Sequence, residues 1–539
     1  MHLIGIDVGT GSARAGVLDV TGRLLASARH PIDIWHDPGD RVEQSADQIW
    51  SAVCLAVREA VEVAAIDPGS VTGIGFDATC SLVAVRADGT GVPVGPGGDP
   101  ARNVMVWMDH RAHAEAAAIN AGGHAVLDYV GGRISPEMQT PKLKWLKRHL
   151  PQSYTAADHF FDLADYLTWR ATGSLARSVC TVTCKWTYLA HERRWDADYF
   201  RAIGLGDLAD DGFRRIGTRI VDPGTPLGQG LSATAATALR LRPGTAVGAA
   251  LIDAHAGGIG TLGAAIPGAD ADLQARLAYI FGTSACSMVS TATPVFVPGV
   301  WGPYFSAMIP GLWLNEGGQS AAGAAMDHLV LMHPAAPQAH ALADSAGLSL
   351  VGWLDQRAQA LCPTPAAALA LVGGLHVVPE FLGNRSPLAD PDARAVIAGL
   401  GLDSSIDSLV ALYVAGLGGI GYGLRQLLDR LQDQELVIDT IIASGGAAQS
   451  GFVRQVLADA TGLAVACADA PEPVLLGAAM LGAVAAGQVP SLSAAMTAMA
   501  GLAQVLHPAG GSVAATHRQR FASFTLLQKA ASAIRHQTL

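Results

Sequence analysis

Residues 3–14 read Leu3-Ile4-Gly5-Ile6-Asp7-Val8-Gly9-Thr10-Gly11-Ser12-Ala13-Arg14. An apolar strand runs into an aspartate, turns on two glycines and leaves as a second strand through residue 20. A carboxylate ending a buried strand is costly to desolvate unless a cation or hydrogen bonds compensate it, so Asp7 reads as a metal-facing group. Gly9 and Gly11 leave backbone N–H groups open to phosphate oxygens, Thr10 and Ser12 add hydroxyls, and Arg14 adds a fixed positive charge. A structural hairpin whose aspartate caps its own turn accounts for the same residues, and the local sequence leaves both readings open.

Outward from this hairpin, residues 2–8, 12–20 and 23–32 read as strands, 45–65 as an amphipathic helix capped by Ser45, and 71–78 as a further strand. A shorter version of the opening pattern returns some 270 residues later. Residues 277–292, LAYIFGTSACSMVSTA, again run an apolar strand into Gly282-Thr283-Ser284 and out through a second strand. Repetition of such a hairpin predicts an α/β chain of two homologous lobes facing each other across a cleft. The lobe boundary is expected near 255–275, at Gly257-Gly258, Pro267-Gly268 and an Asp-rich turn, although the turns at 223–245 would also serve.

Composition narrows the function classes. Of 539 residues, 50% are hydrophobic and 15% charged, which is opposite to the signature of disorder. The net charge of −11 offers no basic surface for nucleic acid or an anionic membrane. No secretory signal opens the chain, which predicts a cytoplasmic protein, and seven scattered cysteines predict reduced thiols. Cys180 and Cys184 read as small buried hydrophobes. The uncharged run 473–517 is broken at Gly487-Gln-Val-Pro-Ser, so its two Ala-rich pieces are too short to cross a bilayer and predict buried helices. Glycine stands at 62 positions, well above the average of about 7%.

No G-x-x-x-x-G-K-[ST] occurs, which excludes a P-loop. Two G-x-G-x-x-G matches, at Gly258/Gly260/Gly263 and Gly416/Gly418/Gly421, lack the strand or the acidic partner of a dinucleotide fingerprint and read better as close helix packing.

Taken together, Asp7–Arg14, Gly282-Thr283-Ser284, the segment ASGGAAQS at 443–450, VEQSADQIW at 42–50 and LIDAHAGG at 251–258 resemble, in order, motifs of the FGGY family of carbohydrate kinases. The resemblance spans some nine-tenths of the chain. It implies a two-lobed actin-like, ribonuclease-H-like fold with a duplicated mixed-sheet core and an interlobe cleft, divided as 1–262, 263–490 and a helical extension at 491–539 packed on the second lobe. It also implies ATP and Mg²⁺ as cofactors, with Asp253 as catalytic base and Asp7 and Asp253 at the metal. Gly9, Thr10, Gly11, Ser12, Arg14, Gly282, Thr283, Gly323, Gly445, Gly446 and Ser450 would face the nucleotide. Phosphoryl transfer needs a carboxylate to take the alcohol proton and cations to neutralise the transferring group, so these residue types suit that chemistry.

Within the family, the strings GFDATCSLV at 75–83 and WMDHR at 107–111 resemble pentulose kinases, ribulokinases first among them. Asp77, Ala78, Thr79, Trp107, Asp109, Lys185, Asp253 and Glu316 are the sugar-contacting positions this implies. Lys185 is expected after a strand, RSVCTVTCKW. Ala78 departs from the bulky aromatic of L-ribulokinases, which favours D-ribulose over L-ribulose and leaves D-xylulose and ribitol open. The implied partners are the sugar and ATP, with no nucleic acid and no membrane, and a homodimer stays open. A nucleotide-dependent sugar sensor without turnover is the rival from another class.

Overall fold

The computed structural model describes residues 1–267 and 272–538. The Pro267-Gly268 turn and the Asp-rich turn proposed as the lobe boundary fall largely outside them. The first lobe is built from β1 (His2–Val8), β2 (Ser12–Asp19), β3 (Leu24–Pro31), α1 (Ala46–Val63), β4 (Val71–Ala78), α2 (Val179–Trp186), β5 (Ala246–Val247), β6 (Leu251–Ile252) and α3 (Asp253–Leu262). Its sheet runs β5-β4-β1-β2-β3, with β6 also pairing β4. The β1–β2 and β2–β3 pairs are antiparallel and β1–β4 is parallel, with α1 as the crossover.

The second lobe repeats that plan. It comprises β7 (Arg276–Phe281), β8 (Ala285–Thr291), β9 (Trp301–Phe305), β10 (Trp313–Gln319), α4 (Gly323–Leu331), α5 (Ile406–Gln432), β11 (Thr440–Ser444), α6 (Gly451–Thr461), β12 (Ala464–Ala468), α7 (Pro473–Ala485), α8 (Leu492–Met499), β13 (Ala503–Leu506) and α9 (Gly511–Thr538). The sheet order is β9-β10-β8-β7-β11-β12-β13, again with an antiparallel hairpin (β7–β8) beside a parallel pair (β7–β11). The duplicated mixed-sheet core inferred from two short sequence segments is therefore a property of the whole fold.

Two helices cross between the lobes. α7 follows the second-lobe strands yet lies on β1 and β4 of the first sheet, and α3 leaves the first lobe and packs on β7 and β11 of the second. Their approach demands glycine. A Cβ on Gly5 would stand 1.9 Å from the Leu475 carbonyl oxygen, and one on Gly75 1.8 Å from that of Ala478. Between the helices themselves, a Cβ on Gly260 would meet the Pro473 oxygen at 2.0 Å and one on Gly477 the Ala256 oxygen at 1.9 Å. Much of the glycine excess is thus spent on backbone-to-backbone packing. The G-x-G-x-x-G matches also lie in packed helices: Gly258 and Gly260 inside α3, and Gly416, Gly418 and Gly421 inside α5, where a Cβ on Gly416 or Gly421 would crowd side chains of neighbouring helices at 2.7 and 2.6 Å.

The two Ala-rich pieces contain α7, which is largely buried, and α8, which buries one face through Leu492, Ala495, Met496 and Met499. Helix α5 is long and apolar enough to span a membrane, but its apolar window is 78% buried among its neighbours, which makes it a core helix. Beyond residue 490, β13 extends the second sheet, and α9 lies on α5 and α6 with His517, Phe524 and Gln528 turned inward. One expectation fails. The RSVCTVTCKW segment is a helix over Val179–Trp186, with Ser178 accepting from the Cys180 N–H at its N-terminus. All eight residues are buried, so no amphipathic period marked it, and its β-branched content pointed to a strand.

Candidate active site

A cavity of about 320 Å³ opens between the lobes where the two hairpin turns face each other. Each turn is closed by its leading glycine: the Gly9 N–H donates to the Ser12 carbonyl at 3.0 Å, and in the second turn, one residue shorter, the Gly282 N–H donates to the Ser284 carbonyl at 3.0 Å. A Cβ on Gly9 or Gly282 would meet nothing closer than 3.6 Å, so packing does not require glycine at either turn, and both face the cavity with Thr10, Thr283 and Arg14. Gly11 sits exposed at the turn, while the Ser12 hydroxyl accepts from Arg29 Nε at 2.9 Å. Gly323 supports the second turn from behind, its N–H donating to the Gly282 carbonyl at 2.9 Å.

Gly445, Gly446 and Ser450 do not line this cavity. Register pairs Ile280 with Ser444, so the turn after β11 emerges beside Gly282 on the same sheet edge. Gly445 has φ +91° and lies against Phe281, Gly446 is exposed, and the Ser450 hydroxyl accepts from the Val453 N–H as the N-cap of α6.

Three aspartates meet at the C-terminal ends of the first lobe's parallel strands. Asp7 lies opposite Asp77 in the β1–β4 register, and β6, which ends beside Ala78, delivers Asp253 as the first residue of α3. Arg14 Nε donates to Asp7 at 2.7 Å, and its Nη1 bridges to Glu472 at 2.7 Å, immediately before α7. Asp77 is fully buried with neither carboxyl oxygen hydrogen-bonded, and burial together with Asp7 and Asp253 pushes it well above the usual carboxylate range. Asp253 lines the cavity, where burial and then Asp7 raise it to about 6, and the Ala254 N–H donates to its Oδ1 at 2.7 Å.

Of the positions proposed to contact the sugar, Thr79, Trp107, Lys185 and Glu316 line the cavity. Trp107 Nε1 donates to Thr10 Oγ1 at 3.0 Å, which ties this wall to the first hairpin. Burial disfavours the Glu316 charge, but His255, Lys185 and Arg385 outweigh it and hold the carboxyl at about 2.

Three of the proposed sugar contacts are corrected: Asp77 is wholly buried and does not line the cavity. Ala78 is wholly buried in the first-lobe core. Asp109 is also wholly buried, and its carboxylate is consumed by the Val42 N–H at 2.7 Å and Arg111 Nε at 2.8 Å. Arg111 then reaches Glu43 at 2.8 Å, which closes an ion cluster away from the cavity.

Among the lining residues that the sequence did not single out are Glu137, Trp301 and Arg385. Glu137 Oε1 lies 3.1 Å from His110 Nε2, and despite burial its carboxyl is held low by His110, Lys185 and Arg385. Lys185 Nζ and the Arg385 guanidinium stand 5.4 and 5.5 Å from the Trp301 ring centre. Arg385 carried a signal, as the lone cation of the turn-forming run Gly383-Asn384-Arg385-Ser386-Pro387.

Residues 2–257 match the FGGY family of carbohydrate kinases, N-terminal domain, and residues 277–486 its C-terminal domain. An FGGY carbohydrate kinase domain-containing protein of Danio rerio is 44% identical over 98% of this chain and 97% of its own. A D-ribulokinase of Saccharomyces cerevisiae is 38% identical over 89% of this chain and 71% of its own. In structure, a xylulose kinase from Rhodospirillum rubrum superposes with a TM-score of 0.78 at 22% identity, covering 99% of this chain and all of that one, a likeness of fold alone. With both domains matched and both hairpins facing one cleft, the chain belongs to the FGGY family of carbohydrate kinases.

Proposed function

We propose that this ATP-dependent carbohydrate kinase phosphorylates a pentulose, D-ribulose before others, to the 5-phosphate, with Asp253 as the general base. The observation that carries the reading is the position of Asp253: its raised carboxyl faces the cavity from the first turn of α3, between the two hairpins and the sugar-side wall. A base poised near the working pH is effective in both holding and releasing a proton. The sugar's terminal hydroxyl passes its proton to Asp253 as its oxygen bonds the γ-phosphorus, and the bond to ADP breaks. Arg14 and the backbone donors of the Gly9 and Gly282 turns stabilise charge on the transferring group. Closure of the lobes would keep water from competing for the phosphoryl group.

The residues fit a magnesium–nucleotide. Asp7 and Asp253 bring hard carboxylate oxygens to the cavity, and Asp77, buried beside Asp7 in the strand register, has both oxygens unpartnered. Among the described residues no closed cage of three or more ligands exists, which suits an ion that keeps waters and takes one or two carboxylates plus phosphate. When bound, Mg²⁺ would neutralise phosphate charge, with Asp7 and Asp253 holding it directly or through water. The Gly445-Gly446 turn would support the adenosine.

Thr79, Lys185 and Glu316 would bind sugar hydroxyls, and the rings of Trp107 and Trp301 would cover C–H faces. The resemblance to a yeast D-ribulokinase, together with the TCSLV string, favours D-ribulose. The test is an assay of ADP release with D-ribulose, L-ribulose, D-xylulose, ribitol and glycerol. D-Ribulose should give the highest kcat/KM; a higher value with another of the five would reassign the substrate, and no turnover with any would favour the sensor reading.

A further inference from the structure

Glu316 does not stand alone. His255 Nε2 lies 3.3 Å from Glu316 Oε2, and the other ring nitrogen, Nδ1, lies 3.1 Å from Cys180 Sγ. Cys180 in turn accepts from the Ile252 N–H at 3.4 Å. His255 and Cys180 are wholly buried, while Glu316 reaches the cavity. The three residues come from α3, α2 and β10, so the chain of contacts starts in the first lobe and ends in the second. A carboxylate on a strand facing a cavity has freedom at χ2 and χ3, and one fixed imidazole donor at one oxygen removes much of it. His255 also sits two residues beyond Asp253 on the same first turn of α3. The partner that orients Glu316 and the proposed base therefore ride on one rigid element.

We infer that His255, steadied by Cys180, is a positioning residue that aims the Glu316 carboxylate at a sugar hydroxyl and fixes its distance from the base, so that hydroxyl configuration is read relative to Asp253. This rests on the reading of Glu316 as a sugar-binding group. The consequence is specific to one substrate. Loss of the His255 donor should weaken ketose binding and discrimination between ketose epimers, while the nucleotide turns, held by other contacts, should be unaffected.

The test compares His255→Asn with His255→Gln in the full-length enzyme. Gln can place its amide nitrogen near the position of Nε2 and keep the donor to Glu316, whereas Asn reaches only toward Cys180. His255→Asn should raise the KM for D-ribulose about 10- to 100-fold, the range for losing a hydrogen bond to a charged group, with the KM for ATP unchanged. His255→Gln should recover most of that loss. Equal damage from both substitutions, or a matching rise in the KM for ATP, would mean a merely structural role and overturn the inference. Glu316→Gln separates the two layers. If it leaves the D-ribulose KM unchanged, the sugar-binding reading fails; if it raises that KM while His255→Asn does not, the positioning role alone fails. Should His255→Asn not fold, Cys180→Val removes the partner at Nδ1 and should raise the D-ribulose KM several-fold with the KM for ATP constant, and an unchanged KM would overturn the inference.

Discussion

Replacing Asp253 with Asn separates catalysis from stability, because the two should move in opposite directions. A carboxyl raised to about 6 is roughly 90% ionised at pH 7 and 10% at pH 5, so kcat/KM should fall about ninefold across that interval. At the ordinary aspartate value near 4 the same change would cost only about a tenth. Asp253→Asn should remove this acidic limb and lower kcat by about 10²–10⁴, with ketose and ATP binding near normal. Stability should respond the other way. The folded protein holds the Asp253 proton to a higher pH than the unfolded chain, so this group lowers stability as pH rises from about 4 to 6, and the cost is complete above 6. A shift of about two units has a ceiling of roughly 3 kcal/mol, and the partial exposure of Asp253 to the cavity reduces it to about 1–2 kcal/mol. The variant should therefore melt above the wild type at pH 8 and converge with it toward pH 4. Full turnover in the variant would refute the catalytic role, and a lower melting temperature at pH 8 would refute the electrostatic argument.

Gly477→Ala places a Cβ 1.9 Å from the Ala256 carbonyl oxygen and should cost about 1–3 kcal/mol or more in urea unfolding, whereas Gly446→Ala meets nothing within 4 Å and should leave stability unchanged while raising the KM for ATP. Asp109→Ala leaves the buried Arg111 to Glu43 and unpairs the Val42 N–H, and should lose about 1–3 kcal/mol, measured by denaturation, with the ketose KM scarcely altered. Glu137→Gln keeps the shape but loses the charge beside His110 and Lys185, and it should raise the ketose KM about tenfold at constant KM for ATP in steady-state kinetics.

What could be read from sequence was local. Strand, turn and strand at 3–14 and 277–292 are each written within about fifteen residues, and the aspartate and glycines at those turns have few roles other than facing a ligand or closing the turn. Helix α2 was misread because a fully buried element shows no period, and β-branched content then points to a strand although tertiary contacts override it. Asp109 was misplaced for a related reason. A side chain two residues away folds back onto it, and sequence spacing does not reveal whether an Asp–Arg pair is closed on itself or open to a ligand. Glu137, Trp301 and Arg385 reach the cavity from separate loops and strands, and only the assembled topology brings them together.

The crossing of α3 and α7 explains why these long-range contacts bear on the chemistry. Asp253 begins α3, whose body lies on β7 and β11, the strands that lead into the Gly282 and Gly445 turns. Glu472, bridged to Arg14 of the first hairpin, directly precedes α7, whose body lies on the strand carrying Asp7. Each lobe's charged site residue is thus mounted on a helix seated against the other lobe's sheet. The two helices touch at Gly260 and Gly477, where there is no side chain to absorb a shift. A displacement of one helix would therefore pass to the distance between the proposed base and the phosphate-facing turns, and errors of about 1 Å at a reacting centre can cost on the order of 100-fold in rate. The glycines at the crossing can then be required for catalysis without touching either substrate.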